Sequence, residues 1–169
     1  MRLHLDRTAS PLGEILLVSD DAGALRGLDF ADHAARLHQL LRRQNGDYAL
    51  DEAPAPATTH RALADYFAGD LDAIDALPIA TGGTAFQRSV WQALRNIPAG
   101  ATTSYGALAT TLSHPRASRA VGLANGANPI SIVLPCHRVI GADGSLTGYG
   151  GGLPRKRWLL EHERRHRSA

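Results

Sequence analysis

The sequence is short of cysteine and of long apolar runs, and each shortage excludes a class of protein. One cysteine, Cys136, among 169 residues excludes a disulfide framework and any all-cysteine metal site within one chain. No apolar run approaches the roughly 18 residues of a membrane span. The first ten residues carry charges where a signal peptide needs an apolar segment. We therefore expect a reduced, cytoplasmic protein that is not embedded in a membrane.

Composition and charge describe a globular chain with two unlike halves. The hydrophobic content of 44% and the charged content of 20% are ordinary for a globular protein and exclude disorder. Residues 1–80 carry seven arginines against 13 acidic residues, a net charge of −6, whereas residues 81–169 have a net charge of +8. A basic half suggests a polyanionic partner, although many basic faces are merely solvated. Nucleic acid is therefore a candidate partner.

The first half has the pattern of a scaffold. Residues 12–18 form a strand-like run, a turn follows, and residues 24–30 return as a second strand. Leucines at helical spacing predict a helix over residues 32–44, and a second helix is predicted over residues 59–68. Nothing in this half has the spacing of a catalytic or metal site.

A cluster of turn residues separates the two halves. Pro78, Gly82 and Gly83 lie where the charge changes sign. We therefore predict two domains, with residues 1–80 as an α/β scaffold and residues 81–169 as the part that carries the chemistry. The expected fold class is α/β of the α+β kind, in which a small antiparallel sheet with helices precedes a mostly helical domain.

Caps and stop residues predict the helices of the second domain. Thr84 caps a helix that ends before Pro98. Two short helices, over residues 104–112 and 115–127, flank a tight turn, which is typical of a helix-turn-helix, although many enzymes contain such pairs without touching DNA. The remaining predicted elements are a strand over residues 130–134, a glycine-rich turn over residues 141–152 and a basic helix over residues 154–165.

Cys136 has two interpretations. It follows an apolar run and Pro135, and it stands beside His137 and Arg138, where the chain leaves the core. Unbridged cysteines are among the most buried residue types, so a buried filler is one interpretation. Positive charge near a thiol favours the thiolate, which supports the other interpretation, a nucleophile.

A histidine that acts as a base needs an orienting carboxylate, and few are available. The second half contains only Asp143, Glu161 and Glu163. The last two lie about 200° apart on one helix, so only one of them faces the site. Adjacent side chains point apart, and we therefore expect a water between Cys136 and His137 rather than a direct bond.

The lack of a second cysteine separates the possible reactions. A dithiol cycle needs a resolving thiol, which this chain lacks. A thioester can be hydrolysed, which leaves a cysteine hydrolase open, whereas a thioether is stable, so an alkyl transfer would consume the protein. A DNA-binding module without chemistry is a further alternative, but residues 115–127 offer few long polar side chains to read bases. The glycines of residues 148–152 lack a P-loop ending, so no nucleotide cofactor is expected.

Several short motifs of the second half identify a family when they are taken together. They are Ser-Tyr-Gly at 104–106, Arg-Ala-Val-Gly at 119–122, Asn-Pro at 128–129, Ile-Val-Leu-Pro-Cys-His-Arg-Val-Ile at 132–140 and Gly-Tyr-Gly-Gly-Gly at 148–152. In order and spacing, the set resembles the active-site signature of the O6-alkylguanine-DNA alkyltransferases. The strong resemblance covers about residues 84–165, whereas the first half agrees only in general layout.

The resemblance implies a suicide reaction. An alkyl group such as methyl would pass directly and irreversibly from O6 of guanine, and also from O4 of thymine, in duplex DNA to Cys136, after the base is flipped out. His137 would draw the thiol proton through a water, and Glu163 would orient His137. Tyr105 would protonate N3 of the guanine, and Asn128 would brace the turn between the second helix and the active-site segment.

The resemblance also implies how DNA is held. Arg119 would fill the space left by the flipped nucleotide, and Ser118 and Gly122 would contact DNA together with Tyr105. The implied docking surface is the minor groove of double-stranded DNA, where readout of base edges is degenerate, so sequence preference is expected to be weak. The guanine pocket would be lined by Val139, Tyr149 and Gly150.

Departures from the family pattern give further expectations. Some relatives bind zinc in the N-terminal part through cysteine and histidine, but this chain has no cysteine there, so neither a metal nor any other cofactor is expected. Non-catalytic relatives carry tryptophan in place of the cysteine, and Cys136 argues against that class. Gly150 is often serine in relatives, which leaves the preferred alkyl size open. We expect a monomer, and clustering of several copies on DNA stays open.

Overall fold

The computed structural model describes residues 1–167 and divides into two compact units. The first unit contains residues 1–83 together with residues 129–133, and the second contains residues 84–128 and the chain from residue 134 onward. The turn residues Gly82 and Gly83 thus lie at the division. The short segment 129–133 lies within the predicted second domain but groups with the first unit.

A four-stranded sheet lies at the centre of the first unit. Its strands are β1 (Arg2–Thr8), β2 (Ile15–Asp20), β3 (Leu25–Phe30) and β4 (Ala49–Glu52). They are ordered β3-β2-β1-β4; β1, β2 and β3 run antiparallel, and β4 lies parallel to β1. The α/β fold class is confirmed, but the sheet is mixed rather than wholly antiparallel. The chain between β3 and β4 passes through a helix, and a crossover of that kind permits parallel pairing.

Two helices accompany this sheet. Helix α1 (Ala34–Asn45) buries Leu37 and Leu41, and helix α2 (Ala57–Ala68) buries Leu63 and Tyr66. Apolar side chains of β1 and β2 pack with those of α1, because alternate strand residues share one face. The buried cluster consists of Leu3, Leu5, Leu16, Val18, Leu37 and Leu41.

The apolar segment 130–134 is not a strand. Only Ile130 forms a bridge, to Leu28, and the residues after it form a turn. Ile132 has φ of 73°, a left-handed conformation that a β-branched residue rarely adopts. All five residues of the run are buried and four of them are apolar, but burial alone does not distinguish an extended segment from a turn.

Four helices and a two-stranded parallel ladder make up the second unit. They are α3 (Ala85–Leu94), β5 (Thr103–Ser104), α4 (Tyr105–Thr111), α5 (Ser118–Gly126), β6 (Val139–Ile140) and α6 (Leu153–Arg167). Thr84 caps α3 as predicted and forms a capping box with Gln87. Helix α5 begins later than predicted because residues 114–117 close a turn of their own, in which the Ala117 amide donates to His114. No helix within residues 1–167 is long and apolar enough to cross a membrane.

Helix α5 is held tightly against α3. Trp91 of α3 is buried, and its indole N–H donates to the carbonyl of Ala124 at 2.8 Å. Val121, Ala124 and Asn125 form the buried side of α5. The rotation of α5 is thereby set, and its other side, which includes Arg119, is exposed.

Candidate active site

Cys136 begins a single 3-10 turn, Cys136–Arg138, directly after Pro135. Its amide donates to the carbonyl of Leu134 at 2.7 Å, which makes the approach to the turn tight. Only 6% of the surface of Cys136 is exposed, so the thiol is shielded from bulk water. A nucleophile in such a place meets little competition from solvent.

Two buried asparagines hold this turn. The side-chain amide of Asn128 donates to the carbonyl of Leu134 at 2.7 Å. The side-chain amide of Asn125, on α5, donates to the carbonyl of Cys136 itself at 3.4 Å. A buried carbonyl without a donor costs about 1–3 kcal/mol, so both bonds stabilise the turn. The residue that carries the thiol is thus hydrogen-bonded to helix α5.

His137 and Arg138 converge on one carboxylate, that of Glu163. The Nε2 atom of His137 lies 2.8 Å from Glu163, and Arg138 donates to both carboxylate oxygens at 2.8 and 2.9 Å. A third bond from Arg138 reaches the carbonyl of Ile97 at 2.6 Å. Glu163 and His137 are fully buried. Of the two glutamates on α6, Glu161 is exposed and pairs with Arg164.

Burial and charge set the protonation states of this cluster. Burial raises the pKa of Glu163, but the charge that His137 gains in acid, the charge of Arg138 and the hydrogen bonds from both residues outweigh burial and hold that pKa well below its ordinary value. Burial lowers the pKa of His137, which the Glu163 carboxylate opposes only in part. At neutral pH we therefore assign an ionised Glu163 and a neutral His137.

The hydrogen bond to Glu163 also selects the tautomer of His137. An ionised carboxylate only accepts, so the Nε2–H of His137 donates to it and Nδ1 keeps its lone pair. Nδ1 is buried and has no hydrogen-bond partner within residues 1–167. His137 is therefore a base whose accepting nitrogen faces away from its orienting carboxylate.

Lys156 on α6 is a second buried cation near the cysteine. Its ammonium group donates to the carbonyls of Val139 and Thr147, both at 2.7 Å, and to that of Gly148 at 3.3 Å. Burial lowers the pKa of Lys156, and the negative charge that Cys136 carries when it is ionised opposes that shift. Lys156 thus fastens the loop after β6 to β6 itself.

The ladder of β5 and β6 places Tyr105 close to this loop. Thr103 and Ser104 pair with Val139 and Ile140, so Tyr105 directly follows the strand that lies beside the residues after Cys136. The hydroxyl of Tyr105 donates to the carbonyl of Thr147 at 3.3 Å. Val139 is buried, whereas Tyr149 and Gly150, farther along the same loop, are half-buried.

Three of the four predicted DNA-contacting residues lie on α5, and the fourth, Tyr105, begins α4. Ser118 and Arg119 are exposed at its first turn, and Gly122 follows one turn later. A Cβ atom on Gly122 would lie 3.7 Å from the ring of Tyr105, so the ring of Tyr105 packs close to α5 at this glycine.

The structure brings some predicted site residues into direct contact and leaves others apart. His137 and Glu163 are hydrogen-bonded, and Asn128 bonds to the carbonyl of Leu134, two residues before Cys136. Arg119, in contrast, lies on the exposed face of α5. Within residues 1–167, no group of three or more His, Cys, Asp or Glu side chains is placed to hold a metal ion. The absence of a metal stays a prediction.

Sequence reasoning missed Lys156 and the bonds of Arg138 to Glu163. The three basic residues before Trp158 are typical of a solvated helix face, so the sequence did not indicate that Lys156 is buried. Two signals point to Lys156: it is the only lysine among 18 Lys and Arg residues, and it lies three and seven residues before Leu159 and Glu163, on the buried side of α6.

The chain matches two family models that together span most of its length. Residues 85–165 match the DNA binding domain of 6-O-methylguanine DNA methyltransferase, and residues 4–81 match its ribonuclease-like domain. A methylated-DNA–protein-cysteine methyltransferase of Salmonella typhimurium is 54% identical over 166 residues, which are 96% of each chain. A protein of the same name from Methanosarcina acetivorans is 46% identical over 154 residues, covering 91% of this chain and 94% of its own.

Solved structures agree with these relatives. A Mycobacterium tuberculosis OGT in complex with DNA has a TM-score of 0.82 at 40% identity and covers 98% of this chain and 94% of its own. The O6-methylguanine-DNA methyltransferase of Pyrococcus kodakaraensis has a TM-score of 0.69 at 26% identity, with 95% and 98% covered. The resemblance read from the motifs is confirmed, and the chain belongs to the 6-O-methylguanine DNA methyltransferase family.

Proposed function

We propose that this protein repairs alkylated DNA by moving the alkyl group from O6 of guanine to Cys136. The observation that carries the proposal is the buried cluster of Cys136, His137 and Glu163. It combines a nucleophile, a histidine whose Nδ1 is free to accept a proton, and the carboxylate that orients this histidine. Relatives named methylated-DNA–protein-cysteine methyltransferase support the same reaction. The enzyme class is a protein-cysteine S-methyltransferase that acts on methylated DNA.

The reaction is a displacement at the alkyl carbon. The thiol proton of Cys136 passes through a water to Nδ1 of His137, and the thiolate attacks the carbon. The new S–C bond forms as the C–O6 bond breaks, and the guanine takes up a proton at N3 from Tyr105. That proton is later replaced by the one taken from the thiol, so protons balance without an oxidant or reductant. Because a thioether does not hydrolyse, each molecule reacts once.

The buried cations assist this step. A thiolate is stabilised by nearby positive charge, and Lys156 supplies it from within the fold. The same lysine holds the loop that carries Tyr149 and Gly150, which we assign with Val139 to the guanine pocket. O4-alkylthymine presents the same alkoxy group on a flat ring, so the proposal extends to that lesion.

DNA binding is assigned to α4 and α5 as a helix-turn-helix that enters the minor groove. Helix α5 presents Ser118 and Arg119 at its N-terminal end, where backbone amides and a hydroxyl suit phosphate contacts. Its exposed face offers one long polar side chain, Arg119, so little sequence information is read. A base must leave the stack to reach a buried sulfur, and Arg119 is proposed to occupy its place.

Two further proposals concern the setting of the reaction. A thiol that must stay reduced to react fits a cytoplasmic location. The opposite net charges of the two halves, −6 and +8, favour clustering of monomers along DNA, where unlike halves of neighbouring copies attract.

The test is to map the methyl group after reaction. The protein is incubated with a duplex that contains one O6-methylguanine and is then digested for mass spectrometry. We expect a single added methyl on the peptide that carries Cys136, and none in Cys136→Ser, which should still bind the duplex. Methyl on another residue, or repeated turnover of excess substrate, would contradict the proposal and point to another reaction class.

Base flipping is tested separately from chemistry. Extruding a paired base costs a few kcal/mol, and Arg119 is assigned to offset part of that cost. Arg119→Ala should therefore slow repair of duplex DNA far more than the reaction with free O6-benzylguanine, which needs no flipping. Equal slowing on both substrates would remove Arg119 from this role.

A further inference from the structure

Helix α5 exposes one large apolar side chain, that of Leu123. Within residues 1–167 three large hydrophobic side chains are exposed, and Leu123 is the most exposed at 72%, against 55% for Met1 and 39% for Leu153. Leu123 therefore contributes little to the stability of the isolated fold. Exposing so much apolar surface is unfavourable in water, so a partner that covers Leu123 would gain free energy from doing so.

Leu123 and Arg119 share one face of the helix. They are four residues apart, so their side chains are neighbours along the surface, and Gly126 continues the same stripe three residues later. The opposite side of α5 is buried and bonded to Trp91, so this face cannot turn inward. Apart from Arg119 the stripe carries no charge, and Gly126 adds no side-chain bulk.

We propose that Leu123 inserts into the minor groove beside Arg119 and packs against the deoxyribose walls next to the vacated base. The inference rests on the DNA docking proposed above. The family model that covers α5 is a DNA binding domain, and the unit that contains α5 is the basic one, which together identify duplex DNA as the occupant. Minor-groove proteins commonly insert an apolar wedge between or beside base steps. Arg119 fills the opened stack, and Leu123 keeps the groove from closing behind it.

The salt dependence of binding distinguishes an apolar contact of Leu123 from a contact to phosphate. A cation that contacts phosphate releases counterions, so its removal changes the slope of log K against log salt by about 0.9, whereas an apolar contact has no such effect. Leu123→Ala should weaken binding to an unmodified duplex by about tenfold at every salt concentration and leave the slope unchanged. Leu123→Met, which keeps an apolar side chain of similar size, should restore most of the affinity.

The controls use another exposed leucine and the melting temperature. Leu153→Ala removes an exposed leucine from α6 and should leave affinity, slope and methyl transfer unchanged. Leu123→Ala should melt at the temperature of the parent protein, so that any loss of affinity reflects the lost contact. Fluorescence anisotropy with a labelled duplex, repeated at four salt concentrations, gives both affinity and slope.

Three results would overturn the inference. The first is an affinity of Leu123→Ala within twofold of the parent at all salt concentrations. The second is a changed slope, which would indicate an altered phosphate contact. The third is a parent protein that is dimeric without DNA and becomes monomeric in Leu123→Ala, which would make Leu123 a contact between copies. If the parent methylates Cys136 from duplex DNA and any of these is seen, only the inference fails; if Cys136 is never methylated, the proposed function fails.

Discussion

Replacing Glu163 by glutamine tests the buried cluster without a large change of shape. The carboxylate accepts hydrogen bonds from His137 and from two nitrogens of Arg138. An amide has one acceptor oxygen, and its NH2 group would face a donor. Glu163→Gln therefore leaves the Arg138 guanidinium buried, charged and only partly paired.

The expected loss of stability follows from that unpaired charge. Breaking a buried ion pair from one side costs about 3–5 kcal/mol. For a chain of this size each kcal/mol lowers the melting temperature by about 2–4 °C, so the decrease should be roughly 6–20 °C. The control is Glu161→Gln on the same helix, which removes an exposed carboxylate and should leave the melting temperature nearly unchanged.

A second variant separates the charge from the loss of the carboxylate. In Arg138→Met with Glu163→Gln the buried cation is gone, so the double variant should melt higher than Glu163→Gln alone. In the double variant His137 still lacks an ionised partner, so the reaction of this variant with free O6-benzylguanine should remain slower than that of the parent protein by a factor of about 10²–10⁴. Thermal melts of the four proteins decide the matter: if Glu163→Gln melts like Glu161→Gln, the reasoning about the cluster is wrong.

Three further predictions follow from the same geometry. The pKa values of His137 and Glu163 lie below their ordinary values of 6.5 and 4.5, so the unfolded chain binds more protons than the folded chain, and the stability that the pair contributes is lost as the pH falls below those ordinary values. Urea unfolding at pH 7, 5.5 and 4 should show a falling free energy of unfolding, and greater stability at pH 5.5 than at pH 7 would contradict this prediction. A methyl group on Cys136 overpacks a filled turn at about 1–3 kcal/mol, so methylated protein should melt roughly 2–12 °C lower, and an unchanged melting temperature would refute this. Lys156→Met should speed hydrogen exchange at residues 147–150 and slow the reaction with O6-benzylguanine, whereas the exposed Arg157→Gln should do neither; unchanged exchange in Lys156→Met would contradict the anchoring.

Features that depend on nearby residues were predictable from the sequence. The N-terminus of α3 is set by Thr84 and Gln87, three residues apart, and both bonds of the capping box are present. Helical spacing allowed only one of Glu161 and Glu163 to face His137, and the resemblance to the alkyltransferases selected Glu163. The motifs around Cys136 were also recognisable from the sequence, because a reactive turn needs specific residues at fixed positions.

Features that depend on contacts between residues far apart in the chain were not predictable from the sequence. Strand β4 has mostly exposed side chains, so no alternation marks it, and its place is set by main-chain bonds to β1. The apolar residues around Ile132 predict a strand, but Ile132 has a left-handed backbone conformation and lies in a turn. The sequence predicts a solvated Lys156, because the carbonyls of Val139 and Thr147 that accept its hydrogen bonds are brought to it only by the fold.

The stoichiometry of methyl transfer tests the central claim most directly. The protein is mixed with a fivefold molar excess of duplex that contains one O6-methylguanine, and intact mass is followed until it stops changing. A thioether on the one cysteine predicts an increase of one methyl per molecule, with four-fifths of the lesions left unrepaired. Consumption of more than one equivalent of lesion per molecule, or repair without a gain of mass on the protein, would contradict the account.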